Sequence, residues 1–313
     1  MKLSQAVEAY ITHKRSLGMG FRGEAVGLRA FVQSVGDCEM RQVRPLAVRR
    51  YLDGNSPVTS FWFAKYYMLT AFYRYAVARH YVRKSPLPYS IPQKPEEFQP
   101  YIYTVEDMKK LLAVAAARHP GAWPLTPETV CTLLLLLYGT GLRISEALKL
   151  NLVDFDRTSG VLTIRETKFF KSRFVPVSSD LHRVLDVYIE QHWPLAQVTD
   201  ATPLLGTIKC ERIARHTAEL VYKRLREEAG IHRSSEARYQ PRLHDFRHTF
   251  AVTRLVTWYR EGKDVQRLLP HLSTYLGHCR IQDTARYLTM TTELLEQASR
   301  CFEQYARPEV THV

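Results

Sequence analysis

Residues 161–177 read VLTIRETKFFKSRFVPV. Two runs rich in β-branched and apolar residues, 161–166 and 173–177, flank the polar stretch Thr167–Ser172, which is the pattern of a β-hairpin. Outward from it the chain reads as helix. Toward the N-terminus lies a short helix over Arg143–Leu150, and before it one that Thr126-Pro127 opens with N-cap and N1 chemistry and that ends at Gly139. Thr104–Ala117 forms another, and Leu3, Val7, Tyr10 and Ile11 repeat at helical spacing near the start. After residue 177 the pattern returns to helix. The fold class is therefore mainly α with a small β-hairpin or sheet.

Five prolines fall between Pro86 and Pro100, with almost no aliphatic periodicity, so residues 86–100 read as a linker. It separates an all-helical domain, 1–85, from a larger α+β domain, 101–313. The chain carries 44 Lys+Arg against 31 Asp+Glu, a net charge of +13 that calls for a polyanionic partner. Residues 1–100 hold 15 basic and 7 acidic side chains, net +8, leaving +5 for the other 213. Within residues 1–100 a helix opened by Ser56-Pro57 runs through Phe61, Trp62, Phe63, Tyr66, Tyr67, Phe72, Tyr73 and Tyr75. Aromatics at that density belong mostly to a core. Lys65, Arg74, Arg79, Arg83 and Lys84, interspersed in a basic domain, are candidate phosphate contacts.

The longest apolar run, Val130–Tyr138, is about half of the ~20 residues a membrane span needs. The N-terminus lacks the apolar segment of a secretory signal, so a cytoplasmic protein is expected. Cys38, Cys131, Cys210, Cys279 and Cys301 are scattered without a C-x-x-C pair and read as reduced and structural. No phosphate-cradling G-x-x-x-x-G-K-[ST] loop and no acidic cluster suited to two metals is present. Asp154 and Asp156 read as turn and capping residues.

Four stretches carry chemistry: GTGLRISEAL at 139–148, TKFFKSRFVPV at 167–177, HDFRHTFA at 244–251 and LGHCRIQDTARYL at 276–288. A planar guanidinium grips two non-bridging phosphate oxygens at once, and Arg143 and Arg247 suit that task. His244 and Arg247, three apart, share one helical face. His278 follows Gly277, where a helix ends. Tyr287 bears a phenol of pKa ~10, which attacks phosphorus well only when its proton is removed or its charge stabilised.

In this order and at these spacings the four stretches resemble the tyrosine recombinase (phage integrase) family. That resemblance covers the second domain, and the basic helical domain before it is similar to the family's core-binding domain. It implies that Tyr287 is the nucleophile on double-stranded DNA, that Arg143, Arg247 and His278 stabilise the transition state, and that His244 assists proton transfer or positioning. The hairpin is expected to carry the lysine that protonates the departing 5′-oxygen. Alignment gives Lys168 that role, with Lys171 as its rival, although Phe169 and Phe170 depart from the small residues the family has there. The resemblance further implies a homotetramer on paired sites and chemistry without metal, ATP or other cofactor. Two other readings stay open: a type IB topoisomerase, and a DNA-bound regulator whose catalytic set has decayed.

Overall fold

Leu3, Val7, Tyr10 and Ile11 lie on one face of α1 (Leu3–Ser16), and all four are buried. The computed structural model describes residues 1–54, 58–95, 99–119, 123–165, 172–193, 199–234, 237 and 239–306, with only the backbone for 301–306. It divides into two compact units, Met1–Phe98 and Gln99–Val313.

In the first unit α1, α2 (Arg22–Val35), α3 (Pro45–Asp53) and α4 (Ser60–Ala78) enclose one core, to which Val82 and Leu87 still contribute. Packing thus extends past residue 85. The aromatic helix α4 begins later than expected: Thr59 is its N-cap, its hydroxyl accepting from the Phe61 amide at 3.2 Å. Ser56 and Pro57 lie outside the described residues. Trp62, Phe63, Phe72 and Tyr73 are core, but Phe61 and Tyr67 are 68% and 58% exposed.

In the second unit, α5 (Val105–Ala116) and α6 (Pro127–Thr140) start at their expected caps, Thr104 and Thr126. α6 does not end at Gly139. Its C-cap is Gly141, in the left-handed conformation at φ +62°. The expected helix over Arg143–Leu150 shortens to α7 (Ile144–Ala147), because the backbone beyond it pairs elsewhere: Leu204 donates to the Leu150 carbonyl and Leu152 to that of Thr202.

The hairpin is present as β2 (Val161–Ile164) and β3 (Arg173–Pro176), antiparallel, with Leu162 opposite Val175. A short strand, β1 (Phe155–Asp156), adds to β2 and was not anticipated. Asp154 and Asp156 do cap and turn: Asp154 accepts from the Asn151 amide, Asp156 from those of Thr158 and Ser159. α8 (Ser179–His192), α9 (Arg215–Glu228), α10 (Asp245–Arg260), α11 (Val265–Leu276), α12 (Gln282–Ala285) and α13 (Thr292–Ala306) complete the unit. The first turns of α10 are buried all round, from Asp245 to Val252, which makes this helix the axis of the unit. No described helix is long and apolar enough to cross a membrane. The four described cysteines are free, but Cys210 and Cys279 are exposed, so the reading of all five as structural is corrected.

Candidate active site

Helices expose unpaired carbonyls at their C-termini, where the helix dipole also favours cations. The end of α11 gathers three arginines on that basis. Arg173 Nε donates to the Tyr275 carbonyl at 2.8 Å, Arg247 to that of Leu276 at 2.6 Å, and Arg143 to that of Gly277 at 3.2 Å. Arg247 also reaches the C-cap of α6, donating to Gly141 at 3.0 Å. It is fully buried, and burial together with the neighbouring charge of Arg143 pushes it down to about 10, still protonated at neutral pH. Gly277 is required here twice over. Its φ is +68°, and a Cβ would come within 2.8 Å of the Arg173 guanidinium.

Glu146 ties the arginines together. Its carboxylate accepts from the Arg143 amide at 3.0 Å, from the Arg143 side chain at 2.7 Å and from Arg173 at 2.8 and 3.2 Å. Burial alone would raise its pKa; the hydrogen bonds and charge of Arg173, then Arg143, outweigh it and hold the carboxyl at about 2. The site therefore contains a fixed anion that orients two cations while leaving the group strongly positive.

Three imidazoles stand in this field. His244 is the N-cap of α10, and burial followed by Arg247, Arg242 and Arg143 lowers it to about 4. His278, just past Gly277, is lowered to about 3 by burial and then by Arg247, Arg143 and Arg173. His248, one turn along α10 from His244, is lowered to about 3 by burial and His244. All three are neutral at physiological pH. The Tyr287 ring is buried between two of them, with centroids 6.1 Å from His278 in a near-parallel arrangement and 5.6 Å from His248 edge to face. Burial raises its phenol, opposed by the charge and hydrogen bond of Arg247.

The structure thus brings Arg143, His244, Arg247, His278 and Tyr287 into one group. Lys168 and its rival Lys171 lie outside the described residues. Glu146, Arg173 and His248 were not singled out for the site by sequence; Arg173 sits in the hairpin motif and His248 follows Arg247, but neither signals its contacts. Beside the group opens a cleft of about 710 Å³ lined by Arg143, His244, Arg215, Lys223 and Arg242. In the first unit Arg74, Arg83 and Lys84 are exposed, and exposed Arg79 lies over the Tyr75 ring. Lys65 is half-buried, and its ammonium donates to the Tyr51 and Leu52 carbonyls at 2.5 and 2.6 Å near the end of α3. It thereby serves that helix terminus.

Residues 103–293 match the phage integrase family. Over 307 residues, 96% of each chain, the sequence is 35% identical to y4rB of Sinorhizobium fredii, provisionally named an integrase/recombinase. It is 32% identical over 208 residues to the tyrosine recombinase XerD of Mycobacterium tuberculosis, covering 66% of this chain and 62% of that one. The fold is similar to that of the Tn1549 transposon integrase solved with transposon right-end DNA, at a TM-score of 0.73 and 16% identity over 98% of this chain and 100% of that one.

Proposed function

The chain belongs to the phage integrase family of tyrosine recombinases, and from that premise we propose that it is a site-specific DNA recombinase working through a 3′-phosphotyrosyl bond to Tyr287. The observation that carries this reading is the buried Tyr287 phenol set against the Arg247 guanidinium, between two neutral imidazoles and beside Arg143. The Tyr287 oxygen attacks the scissile phosphorus; the bond to the deoxyribose 5′-oxygen breaks, and that oxygen leaves with a proton from Lys168. Arg143 and Arg247 neutralise the charge that builds on the non-bridging oxygens. His278 adds a neutral donor, and His244, a neutral base, assists in removing the phenol proton. A 5′-hydroxyl of a partner duplex then reverses the step. One phosphodiester is exchanged for one phosphotyrosine of similar energy, so the chemistry needs neither ATP nor metal. Exchange between two duplexes engages four copies of the chain on paired sites, as in the lambda integrase tetramer solved on a Holliday junction.

The test is a nicked suicide substrate carrying a candidate site, run on a denaturing gel. Wild-type protein traps a covalent adduct in the presence of EDTA, and Tyr287→Phe binds DNA equally well but traps none. An adduct retained by Tyr287→Phe moves the nucleophile elsewhere. Relaxation of any supercoiled plasmid, with no requirement for a paired site, would favour a topoisomerase.

A further inference from the structure

Thr284, in α12, is fully buried, and its hydroxyl lies 2.7 Å from Nδ1 of His278. Threonines inside helices commonly return the hydroxyl proton to a carbonyl four residues back. Thr140 and Thr249 do so in this chain, bonding to Leu136 and Asp245. Thr284 does not: among the described residues its hydroxyl has one partner, the imidazole.

A buried hydroxyl proton must be accepted by something. At Thr284 the acceptor in reach is His278 Nδ1. If Nδ1 were the protonated nitrogen it would donate to Thr284, and the threonine proton would be stranded where no water reaches it. Nδ1 is therefore the bare nitrogen, and the single proton of the neutral ring sits on Nε2 across the ring. Nε2 has no hydrogen-bond partner among the described residues. The backbone beneath the ring is already held, because Arg247 and Arg143 bond the two carbonyls immediately before His278. Its plane is held by the near-parallel Tyr287 ring.

We propose that Thr284 is a positioning residue of this site, fixing His278 as its Nε2–H tautomer so that the ring offers an N–H donor to the phosphate attacked by Tyr287. The proposal rests on the recombinase reading for the identity of that phosphate. The tautomer itself does not depend on that reading. An imidazole with the opposite tautomer would turn a lone pair toward a phosphate oxygen, which repels it; the threonine decides between donor and repulsive acceptor.

The experiment uses the full chain labelled with ¹⁵N-histidine, the His278 signals being assigned by their loss in His278→Gln. In the wild type without DNA, Nε2 should be protonated and Nδ1 bare. Thr284→Ser should keep that state and cleave a suicide substrate within about threefold of the wild-type rate. Thr284→Val, nearly isosteric, should lose the single tautomer and slow the chemical step by about 10- to 100-fold, up to the effect of deleting one oxyanion donor, with its Kd for DNA unchanged. A wild-type ring protonated on Nδ1 overturns the proposal whatever the variants do. So does a Thr284→Val protein that keeps the Nε2–H tautomer and the wild-type rate. If the wild type traps no covalent adduct, the recombinase reading fails, whereas the tautomer measurement still decides the role of Thr284.

Discussion

Arg247 is charged and almost wholly enclosed, a placement that is costly unless hydrogen bonds offset the lost hydration, which calls for partners inside the fold. The carbonyls of Gly141 and Leu276 and the Tyr287 phenol are those partners. Arg247→Lys keeps the charge but lacks a fork able to span two helix ends, so it should lower the cleavage rate by at least about 100-fold, as loss of a transition-state donor does. Single-turnover cleavage measures this. The histidines make a separate prediction about stability. His244, His248 and His278 all have folded pKa values depressed to between about 3 and about 4, whereas an unfolded histidine titrates near ~6.5. Below that value the unfolded chain takes up protons that the folded chain refuses. The stability contributed by the neutral rings is full above about pH 6.5 and is lost as pH falls, by up to ~1.4 kcal/mol per pH unit for each proton of difference. Urea midpoints at pH 7.5 and 5.0 should show the loss, and His248→Phe should lessen it; a midpoint independent of pH over this range would contradict the burial of the three imidazoles.

At the scale of elements, the two glycines at the end of α6 divide the labour of closing a helix. Gly139 keeps helical geometry, and a Cβ there would meet only the end of the Leu181 side chain at 3.2 Å. Gly141 has φ +62° and a Cβ there would press on the Phe250 ring at 2.7 Å. Gly141→Ala should therefore cost about 1–3 kcal/mol from strain and overpacking, while Gly139→Ala should fall within about 1 kcal/mol of wild type, since helix propensity offsets the tighter contact. Chemical denaturation of both variants distinguishes them. The pair also shows what was legible in sequence. Helix starts at Thr104 and Thr126, and the hairpin from Val161 to Val177, were readable because caps and β-branched runs act on their own neighbours. The choice of Gly141 over Gly139 depends on Phe250, more than a hundred residues away. The same holds for the site. Arg143, Arg247, His278 and Tyr287 stood out by motif, but the clamp of Glu146 on Arg173, the approach of His248 to Tyr287 and the hold of Thr284 on His278 exist only once distant segments meet. The hold of the α3 carbonyls on Lys65 likewise carries no sequence signature.

Across the whole molecule the charge of +13 sets how DNA is found, and α13 bears on how many copies act together. Affinity for duplex DNA should fall steeply with salt, each neutralised phosphate releasing about 0.9 counterion. Fluorescence titration from 50 to 300 mM salt reads that slope, and Arg83→Ala with Lys84→Ala should flatten it if those exposed cations touch the backbone. The last helix presents two leucines with opposite fates. Leu294 is buried against α10 of its own chain, and Glu293 beside it pairs with Arg260. Leu295 is 51% exposed. The first turn of α13 thus divides between an internal anchor and an outward apolar side chain. Leu294→Ala should cost about 2–5 kcal/mol, as core leucines do, and lower the melting temperature whether or not DNA is present. Leu295→Glu should leave the melting temperature, single-site binding and the Tyr287 adduct unchanged. If the outer face of α13 joins neighbouring copies in the proposed four-copy assembly, that charge should abolish the slow band that two site-bearing duplexes form on a native gel, and strand exchange with it. Paired complexes that survive Leu295→Glu would leave α13 with a purely internal role and would require the contact between copies to lie on another surface.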